Sequence, residues 1–176
     1  KEMMEADIYG VANKHYYLLS SEKLNEGDKE QLKALLKDEI PRKTLAGSLG
    51  TLCELLEKHW GKKAVLLIDE YDVPLDKAYQ GGYYDKMVSL IRDMFHKGLK
   101  TNDSLAFGVL TGCLRISKES IFTGANNFAS YSVLDRDFSS YFGFTEWEVE
   151  EMLETADRAE KAGIIKEWYD GYVFGD

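Results

Sequence analysis

Apolar residues recur every three or four positions along much of the chain, which is the spacing of an amphipathic helix. This pattern predicts helices over about residues 4–19, 28–40, 45–60 and 84–97. Two runs between or after these helices are instead continuously apolar, at residues 64–68 and 105–110. Such runs are typical of strands buried on both faces of a parallel sheet. The alternation predicts an α/β domain in which helices flank a parallel sheet.

Short-range signals mark several helix ends. Asp28, with Gln31 three residues later, is predicted to be the N-cap of the second helix, and Pro41 is predicted to end that helix. Gly61 fits the position just after the third helix. Thr145 and Glu148 form the sequence pattern of a capping box, which predicts a further helix from about residue 145.

The remaining segments give weaker predictions. The segment after Asp72-Val73-Pro74, which contains Gly81-Gly82, is predicted to form a loop, and residues 131–134 a short last strand. A final helix and turn carry three aromatic residues that we expect to be packed rather than exposed, Trp168, Tyr169 and Tyr172. Cys53 and Cys113 lie in apolar contexts without metal-ligand spacing, so buried reduced thiols are expected.

Two acids, Asp69 and Glu70, follow the first apolar run directly. Ligands of open α/β sheets bind outside the carboxyl ends of the strands, where these acids would lie. Four apolar residues followed by Asp-Glu form the Walker B pattern of P-loop NTPases. In that pattern the Asp holds Mg²⁺, usually through water, and the Glu polarises the attacking water. The alternative is a buried strand that ends in a solvated acidic loop.

Four blocks in order resemble the AAA-ATPase-like proteins common in bacteria and archaea. The first block is Leu67-Ile68-Asp69-Glu70-Tyr71-Asp72-Val73-Pro74-Leu75. The second comprises residues 110–127, with Arg115, Lys118 and Asn126-Asn127, and the third comprises residues 142–149, which begin Phe142-Gly143-Phe144-Thr145-Glu146. The fourth is Lys166-Glu167-Trp168-Tyr169-Asp170-Gly171-Tyr172. The resemblance extends from about Gly47 to the end of the chain. It implies a P-loop NTPase fold of the additional-strand (ASCE) type, often with a separate PD-(D/E)XK nuclease-like domain further along the chain.

The resemblance also implies a role for the residues after the second strand. In ASCE folds the strand following Walker B ends in sensor 1, a polar side chain that contacts the γ-phosphate or the catalytic water. Thr111 occupies that position, and Arg115 offers a guanidinium suited to a phosphate or to an inter-subunit contact. The alternatives are that Thr111 caps a turn and that Arg115 pairs with a surface acid.

One departure from the family pattern is a missing phosphate-binding loop. No G-x-x-x-x-G-K-[ST] sequence occurs, and the nearest segment is Gly61-Lys62-Lys63. The chain also begins with Lys1, so we expect it to be a fragment of a longer protein. In that longer protein Asp69 is expected to be the metal-binding residue, with ATP and Mg²⁺ as the cofactors. This chain alone is expected to be inactive. Without the P-loop strand, its position in the sheet would be empty and an apolar strand edge would be exposed. We therefore expect the chain to be unstable, to be completed by another segment, or to self-associate.

This reading predicts three regions along the chain. Residues 1–43 would be a helical segment, either an insertion or a lid. Residues 44–136 would be a partial P-loop NTPase core with the Walker B and sensor 1 strands, and residues 137–176 a small helical lid subdomain.

Composition and charge restrict the function classes. The 176 residues are 44% hydrophobic and 12% aromatic, which fits a globular protein. A net charge of −9 argues against direct nucleic-acid binding, because phosphate affinity comes from Lys and Arg. Neither a leader nor an apolar run of about 18 residues is present, so a cytoplasmic protein without membrane contact is expected.

Two alternatives to an ATPase remain at this point. The first is a non-catalytic protein-interaction domain with a degenerate P-loop fold, whose acidic face would dock a partner. The second is a metal-dependent nuclease that uses Asp69, Glu70 and Asp72. The nuclease is disfavoured by the acidic net charge and by the lack of a lysine between the second strand and Lys118.

Overall fold

The computed structural model describes residues 2–113, 121, 128–169 and 175. The chain divides into two compact units, residues 1–127 and residues 128–176. The first unit contains the sheet and its helices, and the second contains short helices joined by turns. The described residues therefore form an α/β protein with a small parallel sheet.

The described residues of the first unit alternate helices with two strands. Its elements in order are α1 (Glu2–Lys14), a 3₁₀ helix (Tyr16–Ser20), α2 (Glu26–Leu35), α3 (Arg42–Trp60), β1 (Ala64–Ile68), α4 (Val73–Gln80), α5 (Tyr84–Phe95), a π-helical segment (His96–Lys100) and β2 (Leu105–Leu110). Both predicted strands are confirmed, and so is the end of α3 at Gly61, whose φ of 69° lies in the left-handed region that favours glycine.

β1 and β2 lie side by side and run parallel. Val65 is paired with Phe107 and Leu67 with Val109 in their register. The chain between them passes through α4, α5 and the π-helical segment, as a crossover between parallel strands requires. Both strands consequently end at the same edge of the sheet.

Only one face of this sheet is covered by described residues. α3 contacts β1, the π-helical segment contacts β2, and α3 packs against α5. On the opposite face the side chains of Val65, Leu67, Phe107 and Val109 are 48%, 72%, 57% and 46% exposed. The prediction of strands buried on both faces is thus wrong for this structure, because no described element of the first unit lies over the second face.

The helices of the first unit enclose the buried core. Its fully buried large side chains are Leu18, Leu32, Leu35, Ile40, Leu45, Leu55, Leu75 and Ile91. Gly98 permits close packing of the π-helical segment on α3, because a Cβ at this position would lie 2.8 Å from Cβ of Leu49. The fourth helix was predicted to extend to about residue 97, whereas α5 ends at Phe95 and Gly98 lies inside the π-helical segment.

The boundaries of α2 differ from the prediction. Asn25, not Asp28, is the N-cap: the Asp28 backbone N–H donates to Asn25 Oδ1 at 2.9 Å, and the Asn25 N–H donates to the Asp28 carboxylate at 3.1 Å. This reciprocal capping box makes Asp28 the third helical residue. α2 ends at Leu35, and Pro41 is the N-cap of α3 rather than the end of α2.

α4 occupies a segment for which a loop was predicted. It runs over Val73–Gln80 with Pro74 in its first turn, where a proline costs no hydrogen bond. Leu75 and Ala78 are buried on one side of it. The predicted loop was wrong because this short helix is stabilised by tertiary packing, which a short sequence pattern does not reveal.

The second unit contains a 3₁₀ helix (Ser139–Tyr141), α6 (Glu146–Thr155), a further 3₁₀ turn (Ala159–Lys161) and α7 (Ala162–Tyr169). The capping box of α6 is confirmed: the Thr145 N–H donates to Glu148 Oε2 at 2.7 Å, and the Glu148 N–H donates to Thr145 Oγ1 at 3.4 Å. Hydrogen bonds from the Thr145 backbone and hydroxyl lower the pKa of Glu148.

Two predictions for the second unit are wrong. Residues 131–134 form no strand; the Ser132 hydroxyl instead donates to the carboxylate of Asp135 at 2.9 Å within a turn. Trp168 and Tyr169 are 77% and 79% exposed rather than packed. Tyr172 lies outside the described residues.

The two cysteines differ in exposure. Cys53 is buried, and burial raises the pKa of its thiol. Cys113 is exposed, contrary to prediction, because it follows β2 at the open edge of the sheet. No described helix has the length and apolar character needed to cross a membrane.

Candidate functional site

The carboxyl edge of the sheet brings the two predicted site segments together. The hydrogen-bond ladder continues one step past each strand: the Thr111 N–H donates to the Ile68 carbonyl at 2.9 Å, and the Tyr71 N–H donates to the Thr111 carbonyl at 3.0 Å. These bonds fix the turn after β1 against the residue that follows β2. The parallel register therefore brings Thr111 close to Asp69, although the two residues are 42 positions apart in the sequence.

Asp69 and Thr111 are in direct contact. The Thr111 hydroxyl donates to Oδ1 of Asp69, and the Glu70 backbone N–H donates to the same oxygen at 3.1 Å. The Glu70 N–H also lies 3.4 Å from Thr111 Oγ1. Both side chains are exposed at the strand ends. The predicted Walker B aspartate and the predicted sensor residue thus share one hydrogen-bonded cluster.

Glu70 has an unusual backbone conformation. Its φ of 51° is in the left-handed region, which costs an L-residue with a Cβ roughly 1–2 kcal/mol. The conformation is held by the hydrogen bond from the Tyr71 N–H to Thr111 and by one from the Val73 N–H to the Glu70 carbonyl at 3.1 Å. Strained backbone of this kind is concentrated at functional sites. The sequence contained no signal for it, since glutamate is not a residue that favours positive φ.

Asp72 differs from the two acids before it. Its side chain is buried, 4% exposed, and its Oδ2 accepts a hydrogen bond from the Cys113 backbone N–H at 3.0 Å. Its carbonyl accepts from the N–H groups of Leu75 and Asp76 at the start of α4. The Asp72 carboxylate therefore contacts the residues that follow β2 and does not belong to the hydrogen-bonded cluster of Asp69.

Gly112 makes this approach possible. A Cβ at Gly112 would lie 2.8 Å from Oδ1 of Asp72 and 2.8 Å from Cε1 of Tyr71, closer than real Cβ contacts come. The Tyr71 ring in turn meets the Phe95 ring of α5 edge to face, at 6.4 Å between centroids. The Asp72–Gly112 contact was not foreseen from sequence, because it joins residues that are distant along the chain.

The oxygen atoms at this edge are suitable ligands for a hard cation that takes most of its other ligands from water and phosphate. Both hydrogen bonds that Asp69 makes to the described residues fall on Oδ1. Within the described part of the chain, no group of three or more His, Cys, Asp or Glu side chains could hold a metal ion. Arg115 lies outside the described residues, as do all but Ile121 in the segment from residue 114 to residue 127.

Comparison with known proteins gives two matches. Residues 7–122 match the family model described as "Predicted AAA-ATPase". A curated relative from Azotobacter chroococcum mcd 1, named "Uncharacterized protein in vnfD 5'region", is 32% identical over 117 residues, which cover 64% of this chain and 22% of the relative. The matched chain spans about a fifth of that relative's length. No solved structure matches the chain.

The extent of the family match differs from the extent of the sequence blocks. The match begins at residue 7, within α1, so it includes the C-terminal part of α1 and all of α2, whereas the blocks placed the start near Gly47. It ends at residue 122, before the blocks at Phe142 and Lys166, which stay predictions. The two N-terminal helices are therefore part of the region that the family shares.

Proposed function

The chain belongs to the family of predicted AAA-ATPases, and on this premise we propose that it is part of an ATPase domain that binds and hydrolyses ATP with Mg²⁺ within a longer protein. The observation that supports this most directly is the cluster of Asp69, Glu70 and Thr111 at the carboxyl edge of two adjacent parallel strands. This is the edge at which α/β sheets bind nucleotides.

Asp69 has the proposed role of holding a water ligand of Mg²⁺. Bound with ATP, the ion would neutralise phosphate charge in the transition state. Oδ1 of Asp69 is occupied by the Thr111 hydroxyl and the Glu70 N–H, which fixes the orientation of the carboxylate. Oδ2 then remains for a metal-bound water, consistent with the preference of Mg²⁺ for one or two carboxylates.

Glu70 has the proposed role of polarising the attacking water, and Thr111 that of contacting the γ-phosphate or the catalytic water. While the Thr111 hydroxyl donates to Asp69, its oxygen can still accept a hydrogen bond from the catalytic water. The left-handed backbone of Glu70 turns the chain directly after Asp69. Arg115 keeps its proposed role as a phosphate or inter-subunit contact. The phosphate-binding loop would come from sequence outside these 176 residues, because they contain no G-x-x-x-x-G-K-[ST] motif.

That missing motif is also the observation that favours the second candidate, a non-catalytic protein-interaction domain. Calorimetry with Mg·ATP on this chain, beside Asp69→Ala, separates the cases. The ATPase proposal expects no binding by this chain and restored binding when the polypeptide is extended upstream. Absence of binding in the extended protein would favour the interaction domain. Binding that Asp69→Ala abolishes in the present chain would show that a phosphate site exists without the loop.

The catalytic role is tested by Glu70→Gln in the longer protein. Because a general base contributes about 10²–10⁴-fold, ATP turnover should fall at least ~100-fold while ATP affinity changes little. Asp103→Asn is the matched control, an exposed acid just before β2 at the opposite edge of the sheet. Unchanged turnover in Glu70→Gln would refute the assigned role.

A further inference from the structure

We propose that Asp72 is a positioning residue, whose buried carboxylate holds the chain after β2 so that the Thr111 hydroxyl lies on Asp69. The inference rests on the proposed function for its catalytic consequence, but its structural part stands on the hydrogen bonds themselves. It also reassigns Asp72, which the nuclease alternative treated as a metal ligand.

The anchor of this device is the start of α4. The Asp72 carbonyl accepts hydrogen bonds from the Leu75 and Asp76 N–H groups at 2.9 and 3.0 Å, so its backbone is fixed by the first turn of the helix. Its side chain is almost entirely buried. The carboxylate therefore reaches the β2 side from a rigid element, which is what accurate positioning needs.

The contact is made to the backbone two residues after Thr111. Oδ2 of Asp72 accepts from the Cys113 N–H at 3.0 Å. A hydrogen bond to an ionised acceptor is roughly twice as strong as a neutral one. The hydrogen bond from the Cys113 N–H to Asp72 and the one from the Thr111 N–H to the Ile68 carbonyl together hold the segment from Thr111 to Cys113 at both ends.

Gly112 completes the arrangement because it lies between the two ends. Its missing side chain lets the Asp72 carboxylate and the Tyr71 ring close over the backbone, where a Cβ would lie 2.8 Å from each. Thr111 then has little freedom, and its hydroxyl is directed to Oδ1 of Asp69. A loosened segment would let this hydroxyl leave Asp69 while the strands themselves stay paired.

The first test is amide hydrogen exchange on this chain. In Asp72→Ala, exchange of the Cys113 and Thr111 N–H groups should be at least tenfold faster, while the amides of β1 and α5 keep their protection. Asp76→Ala is the matched control: Asp76 is an exposed acid of α4 that accepts from Gln80 Nε2 at 2.7 Å, and its loss should leave both amides unchanged. Unchanged protection in Asp72→Ala would overturn the proposal.

The second test is turnover in the longer protein. Asp72→Ala should lower kcat about tenfold or more with little change in KM, and Asp72→Asn, which keeps an oxygen for the Cys113 N–H, should recover part of it. Gly112→Ala should reproduce the loss from the other side of the contact. If Glu70→Gln stops turnover and these variants do not change it, the positioning role is wrong.

Two further outcomes separate this inference from the proposed function. If Glu70→Gln leaves turnover unchanged, the ATPase role fails, yet the exchange test still decides the Asp72 contact. If Asp72→Ala and Asp72→Asn both abolish cooperative unfolding of the chain, Asp72 is a general core residue and the inference is overturned.

Discussion

At the scale of single residues, Glu70 combines a proposed catalytic side chain with a strained backbone. Its positive φ is compatible with the fold only because the surrounding turn is fixed by hydrogen bonds to Thr111 and Val73. A residue selected for stability alone at this position would be Asn or Gly, which adopt the left-handed region more readily. The conflict between local preference and observed residue is what a functional requirement for the carboxylate would produce.

This conflict predicts a trade-off between stability and activity. Glu70→Asn should raise the free energy of unfolding by about 0.5–1 kcal/mol, because Asn tolerates positive φ, while ATP turnover is lost. Glu70→Gln, which has the same length and no such preference, is the control and should leave stability unchanged. Chemical denaturation of the three proteins measures the difference. Equal or lower stability of Glu70→Asn would show that the backbone is not strained.

The sequence anticipated part of this site. Asp69 and Glu70 were predicted to follow the first strand, and the family resemblance implied that Thr111 ends the second strand. The structure brings Asp69 and Thr111 into contact because the two strands are adjacent and parallel. The buried carboxylate of Asp72 and its contact with Gly112 were not anticipated. They depend on how α4 meets the end of β2, which is a tertiary relation that no spacing along the chain encodes.

At the scale of elements, an ion pair links α2 to α3. Lys58 Nζ lies 2.7 Å from Oδ1 of the largely buried Asp28 and 2.7 Å from Oε1 of Glu54. The hydrogen bond from Lys58 is the main cause that lowers the pKa of Asp28, and the same bond raises the pKa of Lys58. The ion pair therefore stabilises the folded state at pH values at which Asp28 is ionised and Lys58 is protonated.

The sign of these shifts predicts an acid-dependent contribution to stability. The carboxylate of Asp28 stabilises the fold above its unfolded pKa of about 3.9, and this contribution is lost as pH falls through the lower folded pKa. The Lys58 contribution is complete throughout this range and is lost only above about pH 10. Asp28→Asn keeps an oxygen for the Asn25 N–H, so it removes mainly the charge.

The expected result is a stability gap between wild type and Asp28→Asn that is full at pH 6 and narrows progressively below about pH 4. Urea denaturation across pH 2–7 measures it, with Glu26→Gln, an exposed first-turn acid of the same helix, as control. A gap that is constant with pH would mean that the charge of Asp28 contributes nothing.

Helix and strand types were more predictable than their boundaries. The α6 capping box was recognised because Thr145 and Glu148 have the standard spacing and no rival residues. The α2 box was missed because Asp28, a good cap by type, follows the true cap Asn25 by three residues. Local preference identifies a set of candidate caps, and side-chain contacts such as that of Asp28 with Lys58 decide among them.

At the scale of the whole molecule, the charge is unevenly distributed. Residues 128–176 carry 12 acidic and four basic side chains, whereas residues 1–127 carry 19 acidic and 18 basic ones. The first unit is thus close to neutral although the chain has a net charge of −9. Electrostatic repulsion does little to keep copies of this unit apart.

The exposed face of the sheet in that unit is apolar. Val65 and Leu67 of β1 lie beside Phe107 and Val109 of β2 in the pairing register, and all four are about half exposed or more. The continuous apolar runs correctly predicted the strands, but burial of both faces requires elements that the described residues do not provide. A contiguous apolar surface next to an open strand edge favours association.

We therefore expect the 176-residue chain to self-associate through this face. Sedimentation velocity should show the average mass rising with protein concentration, and Leu67→Thr combined with Val109→Thr should lower the association constant at least tenfold. Threonine keeps the strand preference while removing apolar surface. Val11→Thr, which changes an exposed valine of α1 that is 42% accessible, is the control and should leave association unchanged. A wild-type chain that stays monomeric over the whole concentration range would show that this face does not self-associate.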